Sequence, residues 1–203
     1  MLLDVGSQSG TFFFLSPGVP FALSDGTCVK VGETEFTVAI HAGHAAEAAA
    51  GAGAGVGVGA GSGDGGDASM TLTFVDGPLR GTRHTVSRSA LAAAPGEECR
   101  IGREADADLS LLHSSSGLSI GIPTDRILST RHCAIVLDTA GSRAGSNGGG
   151  SLGFAIKDLH STNGTGIRLA PPREQSRGYP LTVTSLFGCG VTKFIVEAVE
   201  LAS

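Results

Sequence analysis

Three short strings bring together side chains suited to holding a phosphate: IGRE at 101–104, ILSTRH at 127–132 and HSTNGT at 160–165. Arg103 follows a glycine at the end of an apolar run, where a guanidinium leaves a loop and grips two oxygens of one phosphate. Ser129 and Thr162 add hydroxyl groups. The Asn163-Gly164 pair reads as a turn, which exposes backbone N–H groups and a side-chain amide. Singly, each signal has an ordinary structural reading: Arg103 as an ion-pair partner of Glu104 or Asp106, and Arg126 and Arg131 as solvated loop charges. Ser129 with His132 suggests a nucleophile and its base, yet no acid and no G-x-S-x-G turn accompanies them, so catalysis is not expected.

The elements that position these strings read as short strands: TLTFV (71–75), TRHTVS (82–87), ECRIG (98–102), DLSLL (108–112), HCAIVL (132–137), GFAIKD (153–158), GIRL (166–169), PLTVTSL (180–186) and TKFIVEAVE (192–200). No long stretch has the i, i+3, i+4 spacing of an amphipathic helix, and Ala90 to Ala94 is too short to count. Many short strands with Gly, Pro and Ser turns predict an all-β sandwich or barrel, with function on loops at one end. Two insertions, near 114–124 and at 139–151, read as surface loops.

Composition narrows the partners. The chain has 203 residues, 41% of them hydrophobic, 16% charged, with 32 glycines. Residues 41–69 hold ten Gly and ten Ala in 29 positions and nothing large enough for a core, which predicts a flexible linker. Its G-x-G spacing lacks the flanking strand, helix and acidic residue of a dinucleotide site. A net charge of -5 without Lys/Arg clusters argues against nucleic-acid binding. The N-terminal stretch lacks a signal-peptide pattern, and no apolar run approaches the ~20 residues that span a bilayer. Four scattered cysteines, with no C-x-x-C pair and no His at metal spacing, predict reduced thiols without zinc or any other cofactor.

The order G-R, then about 25 residues, then S-x-x-H, then about 30, then S-x-N-G-T, then a closing G-x-x-x-F resembles the forkhead-associated (FHA) domain. The likeness covers 70–200: the entry strand and G-x-x-x-G turn in VDGPLRGTRHTVS, then CRIGRE, DRILSTRHCAI, FAIKDLHSTNGT and CGVTKFIVEAV. It implies an eleven-stranded β-sandwich that binds phosphothreonine peptides. Arg103 and Ser129 then match the phosphate-binding residues. Thr162 matches a position that helps hold the phosphate, and Asn163 one that bonds the peptide main chain. Gly102, His132, Gly164 and Thr165 match positions that shape the loops. Thr130 stands where the family often has a basic residue or Asn, so one donor is weakened or lost. Ile127, two before the serine, implies an aliphatic preference at the third residue after the phosphothreonine.

The octapeptide DLHSTNGT at 158–165 has a near-copy, DVGSQSGT, at 4–11. The copies continue alike: FALSDGTCVKVGETEFTVAI at 21–40 aligns with YPLTVTSLFGCGVTKFIVEAV at 179–199 through a shared G-x-T-x-F at Gly32–Phe36 and Gly190–Phe194. Residues 1–40 therefore resemble the C-terminal half of an FHA domain without its Arg and Ser, followed by the 41–69 linker and a complete domain at 70–203. Two alternatives stay open: the sequence is a piece of a longer tandem-domain protein or a truncated gene product, or the half-domain docks its strands on the intact one.

The resemblance implies a non-enzymatic adaptor with a phosphothreonine-containing protein as partner, in a nuclear or cytoplasmic setting. Two other readings stand beside it, a purely structural FHA-like domain and the recognition module of a larger enzyme.

Overall fold

A computed structural model describes residues 1–43, 67–103, 118–138 and 153–198. Thirteen strands follow one another among them: β1 (Thr11–Phe14), β2 (Phe21–Ala22), β3 (Cys28–Val31), β4 (Thr34–His41), β5 (Ser69–Asp76), β6 (Arg83–Ser87), β7 (Glu98–Gly102), β8 (Leu118–Gly121), β9 (Cys133–Asp138), β10 (Gly153–Asp158), β11 (Thr165–Arg168), β12 (Leu186–Cys189) and β13 (Thr192–Ile195). They form two sheets, β13-β12-β1-β11-β3-β4-β5-β6 and β2-β10-β9-β7-β8. The chain is thus an all-β sandwich, in keeping with an FHA-type fold. All pairs are antiparallel except β7 with β8. Strand period decides the core. In β5, Met70, Leu72 and Phe74 are buried while the residues between them face outward. They meet Val29, Val31, Phe36 and Val38 from β3 and β4, with the Phe36 and Phe74 rings 5.5 Å apart. Each such side chain contributes about 1.5–3 kcal/mol by leaving water.

Several expected elements differ. The segment near 114–124, expected as a surface loop, carries β8 and buries Ile120 and Ile122, and the strand expected over 192–200 ends at Ile195. The PLTVTSL segment is extended strand only at its last residue, Leu186, because Thr182 and Ser185 bond one another in a turn, with the Thr182 N–H donating to Ser185 Oγ at 2.8 Å. A short helix, α1 (Arg88–Ala93), forms where none was expected. Ser87 Oγ caps it by accepting the Ala90 N–H, and Leu91 anchors it in the core. The strand count exceeds eleven because residues 1–41 contribute β1 to β4. The expected strand at 108–112, the loop at 139–151 and most of the 41–69 linker lie outside the described residues, as do Glu104 and Asp106.

The two octapeptides fold alike. Asp4 and Asp158 are buried; each accepts the N–H of the serine three residues on (Ser7 at 2.8 Å, Ser161 at 2.9 Å) and that serine's hydroxyl (2.8 and 2.6 Å). Burial alone would raise the Asp4 carboxyl pKa. The donors from Ser7, Thr11 and Gly6 hold it below its ordinary value instead.

Each copy then leads to a two-residue hairpin turn on a glycine of positive φ, Gly32 at 60° and Gly190 at 61°. The strand after each octapeptide pairs with the hairpin of the other copy. Thr11, Phe12 and Phe13 face Cys189, Gly188 and Phe187, while Thr165, Gly166 and Ile167 face Val31, Lys30 and Val29. The strands β1 and β11 pair with each other about Phe13↔Ile167, a local twofold. Only the first hairpin continues the sheet, since β4 pairs with β5. β13 ends the sheet with all four residues exposed.

Candidate functional site

The site lies where β7 ends. The Arg103 N–H donates to the Ser129 carbonyl at 3.0 Å, and the His132 N–H donates to the Ile101 carbonyl at 3.0 Å. These bonds draw the 129–132 loop onto the strand end, closely enough that a Cβ on Gly102 would lie 2.0 Å from the Thr130 carbonyl oxygen. Only glycine fits there. The Gly102→Ala chain is expected to push this loop away and to lose about tenfold or more in phosphopeptide affinity, on the scale of 1–3 kcal/mol for overpacking. Titration beside a fold check by circular dichroism measures it. The Arg103 side chain is exposed, and among the described residues no carboxylate pairs with it.

Asp125 holds the other side of the same loop. It is fully buried, and its carboxylate accepts the Ile127 and Leu128 N–H groups, both at 3.2 Å, and the Glu33 N–H and Thr34 hydroxyl, both at 2.9 Å. The β3–β4 turn, from residues 1–41, is thereby tied to the loop that carries Ser129. Ile127 is 45% exposed beside it.

The 158–165 loop closes the site. Asp158 accepts the Ser161 donors and the Thr165 hydroxyl at 2.7 Å, shaping the turn from below. The Thr162 N–H donates to Ser129 Oγ at 3.0 Å, and the Ser129 hydroxyl points to Thr162 Oγ1 at 3.5 Å. Asn163 Nδ2 donates to the Ile127 carbonyl at 2.7 Å, and Lys193 of β13 donates to the Asn163 carbonyl. Gly164 has φ of 74°, and a Cβ there would lie 2.9 Å from the Phe14 ring.

His132, fully buried, joins the two loops. Its Nδ1 accepts the Ser129 N–H at 3.2 Å, and its Nε2–H donates to the Gly164 carbonyl at 3.0 Å. This assigns the neutral ring with its proton on Nε2. Burial pushes its pKa below the ordinary value, against the opposing pull of the Gly164 carbonyl and of Asp158 and Asp125. The Ser129 hydroxyl points to Thr162 Oγ1 and not to the ring, so this pair is not arranged as a nucleophile and its base.

The pH consequence follows from that depressed pKa. The folded state binds fewer protons than the unfolded chain, so stability is complete above the ordinary histidine value of about 6.5 and falls as pH drops below it. Burial depresses His84 as well, with the same sign. Thermal midpoints measured between pH 7.5 and 5 are expected to fall on acidification. The His132→Asn chain, which cannot charge, is expected to lose part of that slope.

Sequence reasoning placed Arg103, Ser129, Thr162, Asn163, His132 and Gly164 at one end of the sandwich, and the structure joins them there through the contacts above. Thr130 turns its carbonyl to Gly102. Asp125, Asp158 and Lys193 were not singled out. Asp158 had a signal in the repeated D-x-x-S-x-x-G-T; Asp125 bonds the nearby Ile127 and Leu128 N–H groups but its ties to Glu33 and Thr34, like the Lys193 contact with Asn163, come from distant segments that no local pattern shows. All four cysteines are free; burial raises the pKa of Cys28 to about 11 and of Cys99 to about 12, and that of Cys133 further still. Among the described residues no group of three or more His, Cys, Asp and Glu is placed to hold a metal.

No curated protein and no solved structure matches the chain. Residues 99–183 match the family model of the FHA domain. That match opens in β7, ahead of Arg103, and runs past Ser129, Thr162 and Asn163. It supports an FHA domain protein, of a family of phosphopeptide-binding rather than catalytic modules.

Proposed function

We propose that the chain is an adaptor that binds a phosphothreonine-containing protein through its Arg103, Ser129 and Thr162 loops. The observation that carries this reading is the Ser129 Oγ contact with the Thr162 N–H at 3.0 Å, beside the exposed Arg103. A phosphate oxygen arriving there meets the hydroxyls of Ser129 and Thr162 and a guanidinium, donors complementary to its charge, while the Thr162 N–H already holds Ser129 Oγ in place. Asn163 keeps its Oδ1 and second amide proton for a peptide main chain, because one proton already goes to Ile127. Ile127 offers an aliphatic neighbour for the third residue after the phosphothreonine. Thr130 supplies no cation, so affinity rests on Arg103.

The partner is a protein segment rather than nucleic acid, given the charge of -5, and the setting is intracellular, where threonine kinases act. No helix among the described residues is long and apolar enough to cross a membrane. The domain organisation proposed is one phosphopeptide site per chain, carried by the 70–203 segment and braced by 1–41 through Asp125. A structural role without ligand is the second reading, favoured by the engagement of the Asn163 amide and carbonyl within the protein.

Titration of one peptide carrying Thr, phosphothreonine or phosphoserine against the full chain tests it. The phosphothreonine form is expected to bind, the unmodified form not. The phosphoserine form is expected to bind about fourfold more weakly or worse, since it lacks a methyl worth about 0.8 kcal/mol. Equal binding of the Thr and phosphothreonine peptides rejects the proposal in favour of the structural role.

A further inference from the structure

We infer that the two G-x-T-x-F hairpins are interchangeable, so that the large sheet has a second arrangement, β4-β3-β1-β11-β12-β13-β5-β6, in which β12–β13 fills the slot now held by β3–β4. The registers permit it. Thr11 meets Cys189 one residue before Gly190, just as Thr165 meets Val31 one residue before Gly32, so either octapeptide strand accepts either hairpin without slippage.

The second hairpin carries features that its present place leaves unused and the slot requires. In the slot, Gly32 must be glycine because a Cβ would lie 2.7 Å from the Asp125 carboxylate; Gly190 has the same φ, with nothing within 4 Å. Thr34 gives Asp125 its hydroxyl, and Thr192, exposed where it stands, holds the same position after the turn. The slot buries Val29, Val31, Phe36 and Val38; the matching Phe187, Cys189, Phe194 and Val196 are apolar too, yet Phe194 is 44% exposed and, among the described residues, stacks on Phe187 alone at the sheet's end.

The connection between β4 and β5 fits both arrangements. Adjacent antiparallel strands need two to five residues, and 42–68 supplies 27. In the second arrangement β4 lies six strands from β5, about 29 Å at 4.8 Å per strand. A Gly-rich chain of that length reaches about 30 Å.

Charge selects the present arrangement. Glu35 faces Lys30 at 2.8 Å and Arg168 at 3.6 Å, and the exchanged hairpin would set Lys193 at the Glu35 position, against Arg168. The second arrangement is therefore the minor one, and its population rises with salt.

Disulfide trapping on the full chain tests this. Thr37 faces Thr73 across β4 and β5, and Ile195 occupies the Thr37 position of the second hairpin. The pair Thr37→Cys with Thr73→Cys reports the present sheet and shows that a cysteine at 73 is tolerated. In the folded monomer, Ile195→Cys with Thr73→Cys is expected to cross-link, identified by peptide mass spectrometry apart from bridges to the native cysteines. It should form severalfold faster than Ile195→Cys with Thr71→Cys, two residues out of register. Adding salt, or the change Lys193→Glu, is expected to speed it further. The exchange is overturned if the 195–73 bridge stays open while 37–73 closes, or if it forms no faster than 195–71.

Discussion

The Arg103→Ala chain is expected to keep its fold and to lose at least about thirtyfold in affinity for a phosphothreonine peptide, mostly through faster dissociation. The side chain is exposed and makes no ion pair among the described residues, while the backbone N–H that bonds Ser129 survives the substitution. Truncating one partner of a charge-assisted contact costs about 2–5 kcal/mol, and the low end of that range is already thirtyfold. Calorimetric titration reads the loss and a thermal scan the fold. A well-folded variant with full affinity would remove the arginine from the site.

Asp125→Ala should be the most destabilising polar substitution in the loops. Four donors from two separate segments converge on its buried carboxylate: the Glu33 and Leu128 N–H groups, the Ile127 N–H and the Thr34 hydroxyl. Alanine leaves them without an acceptor in a site that water does not reach, at a cost of about 3–4 kcal/mol. For a chain of this size that corresponds to a melting temperature lower by about 10 °C. Because the same carboxylate holds Ile127 and Leu128, next to Ser129, peptide affinity is expected to fall as well. Asp125→Asn, which keeps one oxygen, is expected to recover part of both. A melting temperature within about 2 °C of the unaltered chain would mean that the β3–β4 turn and the Ser129 loop are not coupled through this residue.

Most of the site was legible because its residues sit in local motifs. Gly102-Arg103 ends an apolar run, and Ser129 with His132 or Thr162 with Asn163 fall within a few residues of one another, while the FHA resemblance, not spacing, brought the three strings into one site. The repeat was legible in the same way: Asp4 and Asp158 each bond the serine three residues on, a contact that sequence separation already fixes. Hairpin placement was not legible. Thr11–Phe13 and Thr165–Ile167 carry equivalent edges, and Val29–Val31 and Phe187–Cys189 are both apolar on the inward side, so the pattern is indifferent to which hairpin meets which strand. The contacts that distinguish the two hairpins are long-range ones, Glu35 with Arg168 and Lys193 with the Asn163 carbonyl, which no pattern shows. The helix at Arg88–Ala93 was missed because it is stabilised by a cap and one buried leucine rather than by a periodic face.

The most direct test of the account maps where a phosphothreonine peptide touches the full chain, by following its backbone amide resonances during a titration. Binding at the proposed rim predicts the largest shifts at Arg103, Ser129, Thr162 and Asn163, whose N–H groups sit in or beside the contacts that a phosphate would enter. Smaller shifts are expected at Ile127, and none along β5 or β6. Shifts confined to the β12–β13 hairpin, or an unchanged spectrum at saturating peptide, would contradict a phosphopeptide site at the Arg103, Ser129 and Thr162 loops.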